Sequence, residues 1–255
     1  MLREKWRRYK GYSKAVSRIM NGKVRKIREV CRTHRHAYWI LLYVAIYMIG
    51  FNVLENAGHV HYHIIHTWLD DQIPFCEYFI IPYFLWFGFN VAVVTWIVFK
   101  GTVEETYKVS AVLMTGMMIF LVVSAVYPNK LDLRPDYVDT SSICGMLVSF
   151  LYKTDTPTNV LPSIHVFNTM ALCFAVHGNR QLREHRLVTL SSDILGVLIV
   201  LSTMFLKQHS VIDVSLGLVM SVMLQMIGDR IFETPAEAAL AGQRVYRRRS
   251  EHAAD

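Results

Sequence analysis

The sequence predicts an all-α, polytopic membrane protein with six transmembrane helices and both termini in the cytoplasm. Apolar residues make up 53% of the 255 residues and charged residues only 18%, whereas average soluble domains carry about 25% charged residues. Long apolar segments recur along the chain, and Lys and Arg concentrate in alternate connections between them. This composition excludes an ordinary soluble enzyme, and it excludes disorder over most of the length.

Six segments are suited to cross a bilayer, which takes about 20 mostly apolar residues because lipid offers no partners for backbone polar groups. The predicted spans are residues 37–54, 75–99, 109–127, 160–177, 187–206 and 211–227. The fourth and sixth carry His165 and Asp213 near their beginnings, so we expect functional groups at those ends. The apolar stretch 143–152 is too short to cross, and we expect it at the interface or packed over a cavity.

The distribution of Lys and Arg predicts the orientation, because short cytoplasmic loops carry the excess of positive charge. Thirteen of the 27 Lys and Arg precede the first span, and 23 of them fall on the N-terminal side of the membrane in the six-span arrangement. We therefore expect a basic cytoplasmic arm over 1–36, a six-helix membrane domain over 37–232 and a charged cytoplasmic tail over 233–255. Basic tails attract anionic headgroups, which favours membrane lipids over nucleic acid as partners.

Neither the cysteines nor the histidines predict a metal site. The four cysteines lie far apart, in or beside apolar runs and without CxxC spacing, which is typical of small buried residues. A cluster of histidines follows the first span: His59, His61, His63 and His66. No nearby cysteine completes a site, so we interpret this cluster as an interfacial segment over the outer mouth of the bundle.

The few cations on the outer side mark segments that also carry reactive residues. These cations are Lys130, Arg134, Lys153 and Lys207. Three of them lie in segments 127–135 and 207–213, and Lys153 precedes segment 155–165. All three segments emerge on the outer side in the six-span arrangement. Together these segments supply Arg and Lys, a Ser at a helix start, and two histidines, one with an Asp partner. That combination is typical of phosphoryl transfer.

Three of these residue types are suited to hold a phosphate group. Ser163 follows Pro162 at a predicted helix start, where free backbone N–H groups and the helix dipole favour an anion. Arg134 can hold phosphate oxygens in a bidentate fashion, and Lys130 or Lys207 can add positive charge.

The two histidines are suited to catalysis. His209 and Asp213 are four residues apart, so they share a helix face, and the carboxylate can accept the Nδ1 proton. This leaves His209 Nε2 free to attack phosphorus. His165, in the first turn of the fourth span, is placed to protonate the leaving oxygen and later to activate water. Each motif alone is more often structural, but three motifs on one membrane face are a stronger signal.

The motifs Arg134-Pro135, Pro162-Ser163-x-His165 and His209-x3-Asp213 resemble the type 2 phosphatidic acid phosphatase (PAP2) superfamily. The resemblance runs from about 127 to 213, and the six-span arrangement extends it to most of the chain. It implies metal-independent catalysis without a cofactor, through a phosphohistidine. It also implies His209 as nucleophile, Asp213 as its orienting partner and His165 as general acid and base. Arg134, Ser163 and the backbone N–H of Ile164 would hold the phosphate.

Three positions depart from the pattern of that superfamily. Tyr127 stands where the first motif has a Lys, and Lys130 is the nearby cation. Thr203 follows Ser202 where the third motif has Ser-Arg, and the nearest cation there is Lys207. Ile164 replaces a common Gly but retains the backbone N–H. Lys130 and Lys207 are therefore assigned to the phosphate from charge and position alone.

The resemblance implies a hydrolase of phospholipid metabolism that removes phosphate from a lipid phosphate or diphosphate at the outer face of the cell membrane. The alternative is a phosphotransferase that passes the phosphoryl headgroup to a lipid alcohol, as sphingolipid synthases of similar layout do. Candidates to line the acceptor side are Tyr137, Tyr152 and residues 155–159, whose acidic surroundings favour water. A transporter or a catalytically silent scaffold is the non-enzyme alternative. The particular lipid and the oligomeric state stay open.

Overall fold

A computed structural model describes residues 36–57 and 61–232. The predicted tail over 233–255, His59 and all but the last residue of the predicted basic arm over 1–36 lie outside the described residues. Contacts within the chain divide it into two units, Met1–Leu42 and Tyr43–Asp255. The described part of the first unit is the beginning of one helix, and the second unit contains the helical bundle.

The described residues are mostly helical. The helices are α1 (His36–Glu55), α2 (Trp68–Gln72), α3 (Ile80–Lys100), α4 (Val103–Val126), α5 (Ile143–Thr154), α6 (Ile164–Gly178), α7 (Arg180–Glu184), α8 (Arg186–Phe205) and α9 (Val211–Phe232). A 3₁₀ turn over Glu77–Phe79 leads directly into α3. Two short strands, β1 (His63–Ile64) and β2 (Asn129–Lys130), pair in parallel.

Five helices within the described ranges are long and apolar enough to cross a membrane: α1, α3 with its preceding turn, α4, α8 and α9. In these helices most side chains of the apolar window are not buried by protein, and many of the exposed ones are large and hydrophobic. Exposed apolar helices of this length are suited to lipid. The chain is therefore an all-α polytopic membrane protein, as its composition predicts.

The fourth predicted span, 160–177, differs from the prediction. Its helix α6 has 15 residues, which corresponds to about 22 Å of length, while the hydrocarbon core is about 30 Å thick. Ser163 caps the beginning of this helix, and the chain leaves it at Asn179. Helices α3, α4, α8 and α9 all pack against α6, and nine of its residues are buried. A helix enclosed by its neighbours does not have to match the lipid thickness by itself.

One end of the bundle is joined by polar contacts between helix termini. The Asn179 amide donates to Glu105 Oε2 at 3.0 Å, which links the end of α6 to the beginning of α4. Lys108 forms an ion pair with Asp229 near the end of α9. The segments 127–135, 155–165 and 207–213 lie at the opposite ends of the helices they adjoin.

A small layer of irregular chain joins two of those segments. The register of β1 and β2 pairs His63 with Asn129, and Lys130 forms a bridge to Thr158. The Asn129 side-chain oxygen accepts hydrogen bonds from the N–H groups of Val160 and Leu161, at 2.9 and 3.0 Å. The chain entering α6 is thereby fixed to the chain leaving α4.

The amphipathic helix α5 confirms that the apolar stretch 143–152 is too short to cross. Ser142 caps its beginning, and the Ser142 hydroxyl also donates to Glu77 Oε1 at 2.7 Å. Val148 and Leu151 of α5 pack with Tyr83 of α3 and Leu206 at the end of α8. The end of α5 thus lies beside Leu206, which is three residues before the predicted catalytic His209.

Candidate active site

His209 and Asp213 form a buried pair at the beginning of α9. His209 Nδ1–H donates to Asp213 Oδ2 at 2.6 Å, and the two residues are 6% and 0% exposed. Asp213 lies in the first turn of α9, while His209 lies in the turn just before it. The spacing of four residues therefore brings the two side chains together as predicted. The carboxylate orients the imidazole so that Nε2 faces away from it.

His165 meets His209 across the bundle. His165 Nδ1 lies 3.1 Å from His209 Nε2, a hydrogen-bonding distance, although the residues are 44 positions apart in the chain. The two helix beginnings are also joined through their backbones, because the Ser163 N–H donates to the Asp213 carbonyl at 3.1 Å. A Cβ atom on Gly217 would lie 2.7 Å from the Ser163 carbonyl oxygen, so this close approach requires glycine there.

Two aromatic residues of α3 surround His165, and neither is marked by a sequence motif. The Tyr83 hydroxyl lies 3.1 Å from His165 Nε2, and the ring centroids are 5.0 Å apart. The Trp86 ring lies 4.5 Å from the His165 ring. The only sequence signal is that two aromatic residues with polar groups, three positions apart, share one helix face within a predicted span.

Arg134 is held by three acceptors, one of which is the side chain of the residue directly before His209. Its guanidinium donates to the carbonyls of Tyr152 and Asp155, at 3.2 and 2.9 Å, and to Gln208 Oε1 at 2.7 Å. It also stacks over the Tyr152 ring at 4.4 Å. Burial lowers the pKa of Arg134 from its ordinary value, and the Asp155 charge opposes this. Arginine stays protonated in proteins. Arg134 therefore places a fixed positive charge at Gln208, the residue directly before His209.

Two donors in this cluster are free to bind an anion. Arg134 Nε and Gln208 Nε2 are buried and have no hydrogen-bond partner among the described residues. A buried donor without a partner costs about 1–3 kcal/mol. Phosphate oxygens would satisfy both donors, since Arg binds phosphate strongly. Gln208 was not predicted as a site residue, and its place directly before His209 is the only sequence signal for it.

Of the residues expected to line the acceptor side, Asp155 and Tyr152 contact Arg134, and Tyr137 lies at the surface. Burial raises the pKa of Asp155, while the charges of His209 and Arg134 lower it. Tyr152 packs under Arg134 and donates to the Leu206 carbonyl at 2.8 Å. Burial raises the pKa of Tyr152 to about 12, so it stays a neutral donor. Tyr137 is 77% exposed.

Ser163 and Ile164 form the beginning of α6, as predicted. Ser163 is fully buried, and its hydroxyl accepts the Val166 N–H at 3.3 Å as the helix cap. Ile164 is the first residue of the helix, so its N–H has no acceptor in a preceding turn. The position therefore offers a backbone donor next to His165.

The two lysines assigned from charge alone are not joined to the histidine pair. Lys207 Nζ donates to the carbonyls of Asp70 and Ile73, at 2.7 and 2.5 Å, so its ammonium group binds segment 61–73 instead. Its backbone has a φ of 52°, in the left-handed region that commonly follows a helix end. Lys130 lies in β2, and no hydrogen bond or ion pair of the described residues links it to His165, His209 or Arg134.

Segment 61–73 is fastened to the chain around His209 by Asp70. This residue is 2% exposed, and its carboxylate accepts from the Ser210 hydroxyl at 2.7 Å and from the Val211 N–H at 2.8 Å. The histidines of the same segment have other neighbours. His66 contacts Asp71 at 2.9 Å, and His63 stacks on Tyr127 with ring centroids 4.2 Å apart.

The cluster contains the residue types that a nucleophile, a general acid and an anion-binding group require. His209 is oriented by a carboxylate, His165 lies at its free nitrogen, and Arg134 binds the side chain of Gln208, the residue directly before His209. These are the parts that phosphoryl transfer through a histidine requires. Comparisons with models of known protein families, with curated proteins and with solved structures find no match to this chain.

Proposed function

We propose that this protein is a metal-independent lipid phosphate phosphatase of the PAP2 superfamily, acting through a phosphohistidine. The observation that carries the proposal is the continuous series of contacts from Asp213 through His209 to His165, with Arg134 held beside it. A structural histidine pair would not require a buried arginine with a free donor next to it. The five long apolar helices support a lipid as the substrate, because the site lies at their ends.

The proposed chemistry has two steps, and His165 acts as the acid in the first and as the base in the second. His209 Nε2 attacks phosphorus, and the bond between phosphorus and the lipid oxygen breaks. The leaving oxygen takes the proton from His165 Nδ1, so the lipid departs as an alcohol. In the second step His165 Nδ1 takes a proton from water, whose oxygen attacks the phosphohistidine and releases inorganic phosphate. Asp213 stabilises the positive charge that develops on His209.

The proposed membrane topology follows from the distribution of Lys and Arg and from the enclosed position of α6 in the bundle. We propose that α6 is a sixth crossing within the bundle, which leaves both termini in the cytoplasm. The distribution of Lys and Arg then puts the site on the extracytoplasmic side of the cell membrane. The substrate would be a lipid phosphate or lipid diphosphate of the outer leaflet.

The testing experiment supplies purified protein in detergent with a panel of labelled lipid phosphates and diphosphates, with EDTA present. We expect release of inorganic phosphate that is unaffected by excess diacylglycerol or ceramide. Asp213→Asn serves as the control, because it retains the side-chain volume and loses the carboxylate. Transfer of label to the added lipid alcohol would overturn the hydrolase in favour of a phosphotransferase. No turnover, or turnover restored only by added metal, would overturn the mechanism.

A further inference from the structure

The hydrogen-bond directions around His165 follow from the contacts of its neighbours. Asp213 accepts the proton on His209 Nδ1, so a neutral His209 presents a lone pair at Nε2. His165 Nδ1 lies 3.1 Å from that lone pair and must therefore be the donor. A neutral His165 with its hydrogen on Nδ1 has a lone pair at Nε2, where the Tyr83 hydroxyl lies at 3.1 Å.

We infer that Tyr83 is a positioning residue that donates to His165 Nε2 and thereby keeps the hydrogen of His165 on Nδ1, the atom that faces His209. This inference rests on the proposed function, in which that hydrogen goes to the leaving oxygen. His165 stays neutral in this step because Nε2 takes the hydrogen of the Tyr83 hydroxyl as Nδ1 gives up its own. Both hydrogens return in the second step, when water supplies one to Nδ1 and Nε2 gives one back to Tyr83. When phosphorus is bound to His209 Nε2, that nitrogen no longer accepts the hydrogen bond from His165 Nδ1. The proton-carrying atom of His165 then lies next to the leaving oxygen without a change of tautomer.

The packing of Tyr83 gives its hydroxyl a fixed position. The residue is 1% exposed, and its ring packs with Ile80, Val148 and Leu206. The Phe84 ring is tilted 68° against it. A tyrosine held on all sides keeps its hydroxyl aimed at one acceptor, as orienting groups for a catalytic imidazole do.

The test compares Tyr83→Phe with wild type on two leaving groups. An alkyl phosphate needs its leaving oxygen protonated, whereas 4-nitrophenyl phosphate has a stable leaving group and needs little help. General acid catalysis contributes about 10²–10⁴-fold. We expect Tyr83→Phe to lower kcat/KM, which reports the step that releases the leaving group, on the alkyl phosphate by at least about tenfold more than on 4-nitrophenyl phosphate. An equal loss on both substrates would reduce Tyr83 to a packing role and overturn the inference.

Tyr43→Phe is the matched control. Tyr43 also donates its hydroxyl to one acceptor, the Met114 carbonyl at 2.5 Å, and no contact of the described residues joins it to either histidine. We expect this variant to retain the wild-type ratio of the two rates. A change of that ratio equal to the change in Tyr83→Phe would also count against a specific role for Tyr83.

A measurement without turnover separates this inference from the proposed function. Imidazole ¹⁵N chemical shifts of histidine-labelled protein report the tautomer, and His165→Gln identifies the His165 signals. We expect Nδ1–H in wild type and a new Nε2–H population in Tyr83→Phe. Nε2–H or a doubly protonated ring in wild type would overturn the inference even in an active phosphatase. A protein without activity that shows the expected tautomer would overturn the function and leave the role of Tyr83 in place.

Discussion

The Asp70 carboxylate accepts the Ser210 hydroxyl at 2.7 Å, across 140 positions of the chain. Ser210 directly follows His209, so this bond fixes the turn that carries the nucleophile of the proposed reaction. The same carboxylate accepts the N–H of Val211, the first residue of α9, and the N–H of Thr67. A carboxylate at a helix beginning is favoured by the free N–H groups and the dipole there.

Asp70→Asn is expected to destabilise the protein and to weaken activity. An amide presents one oxygen where the carboxylate has two, and a buried donor left unpaired costs about 1–3 kcal/mol. The measurement is the midpoint of thermal unfolding in detergent, together with kcat. Asp71→Asn is the control, because the Asp71 side chain is 59% exposed and, within the described ranges, bonds only with His66. Equal shifts of the unfolding midpoint in the two variants would contradict the role of Asp70 in holding the turn around His209.

Asp213→Asn is expected to lower kcat by about 10⁴-fold while the fold is retained, as for the corresponding residue of serine-protease triads. The amide can hold His209 in the wrong tautomer, which puts the hydrogen on Nε2 and removes the nucleophilic lone pair. Steady-state kinetics checks the loss, and the unfolding midpoint checks the fold. A variant with near wild-type kcat would show that the His209–Asp213 pair has a structural role.

The long apolar helices and the His209–Asp213 pair could be predicted from the sequence, because both depend on local spacing. The short length of α6 could not, since apolar composition does not reveal that neighbouring helices enclose it. The position of Lys207 depends on carbonyls 134 and 137 residues away. Tyr83 likewise meets His165 across 82 positions, and no local pattern marks such a contact.

The buried position of Asp155 predicts a pH-dependent contribution to stability. Burial raises its pKa from 3.8, against the opposing charges of His209 and Arg134, while nearby Glu55 is acidic as well. A carboxyl whose folded-state pKa is raised favours folding while it is protonated. That stability is fully present below the unfolded pKa and is lost as the pH rises through the folded pKa.

Asp155→Asn should therefore gain stability relative to wild type as the pH rises, since an amide does not ionise. The backbone carbonyl that accepts from Arg134 stays in place in this variant. The measurement is the difference in unfolding midpoint between variant and wild type across about pH 4–7. A difference that is constant over this range would show that Asp155 has the same pKa in both states.

The orientation can be tested by labelling single cysteines in a background without the native ones. Asp139 lies in the outer segment of the proposed topology and is exposed, and Glu184 is exposed at the other end of the bundle. We expect an impermeant thiol reagent to label Asp139→Cys in intact cells and Glu184→Cys only after permeabilisation. The reverse pattern would put the site in the cytoplasm.

The central claim is that His209 carries the phosphoryl group, and a trapped intermediate tests it most directly. The measurement is acid-labile, base-stable phosphate on the protein after rapid mixing with ³²P-labelled lipid phosphate and EDTA, mapped to a peptide by mass spectrometry. With ³²P-labelled 4-nitrophenyl phosphate, whose leaving group needs little help from an acid, His165→Ala should accumulate the intermediate, because water is then no longer activated. We predict label on His209 in wild type, more of it in His165→Ala and none in His209→Ala. Label on another residue, or the same amount of label in His209→Ala, would contradict the account.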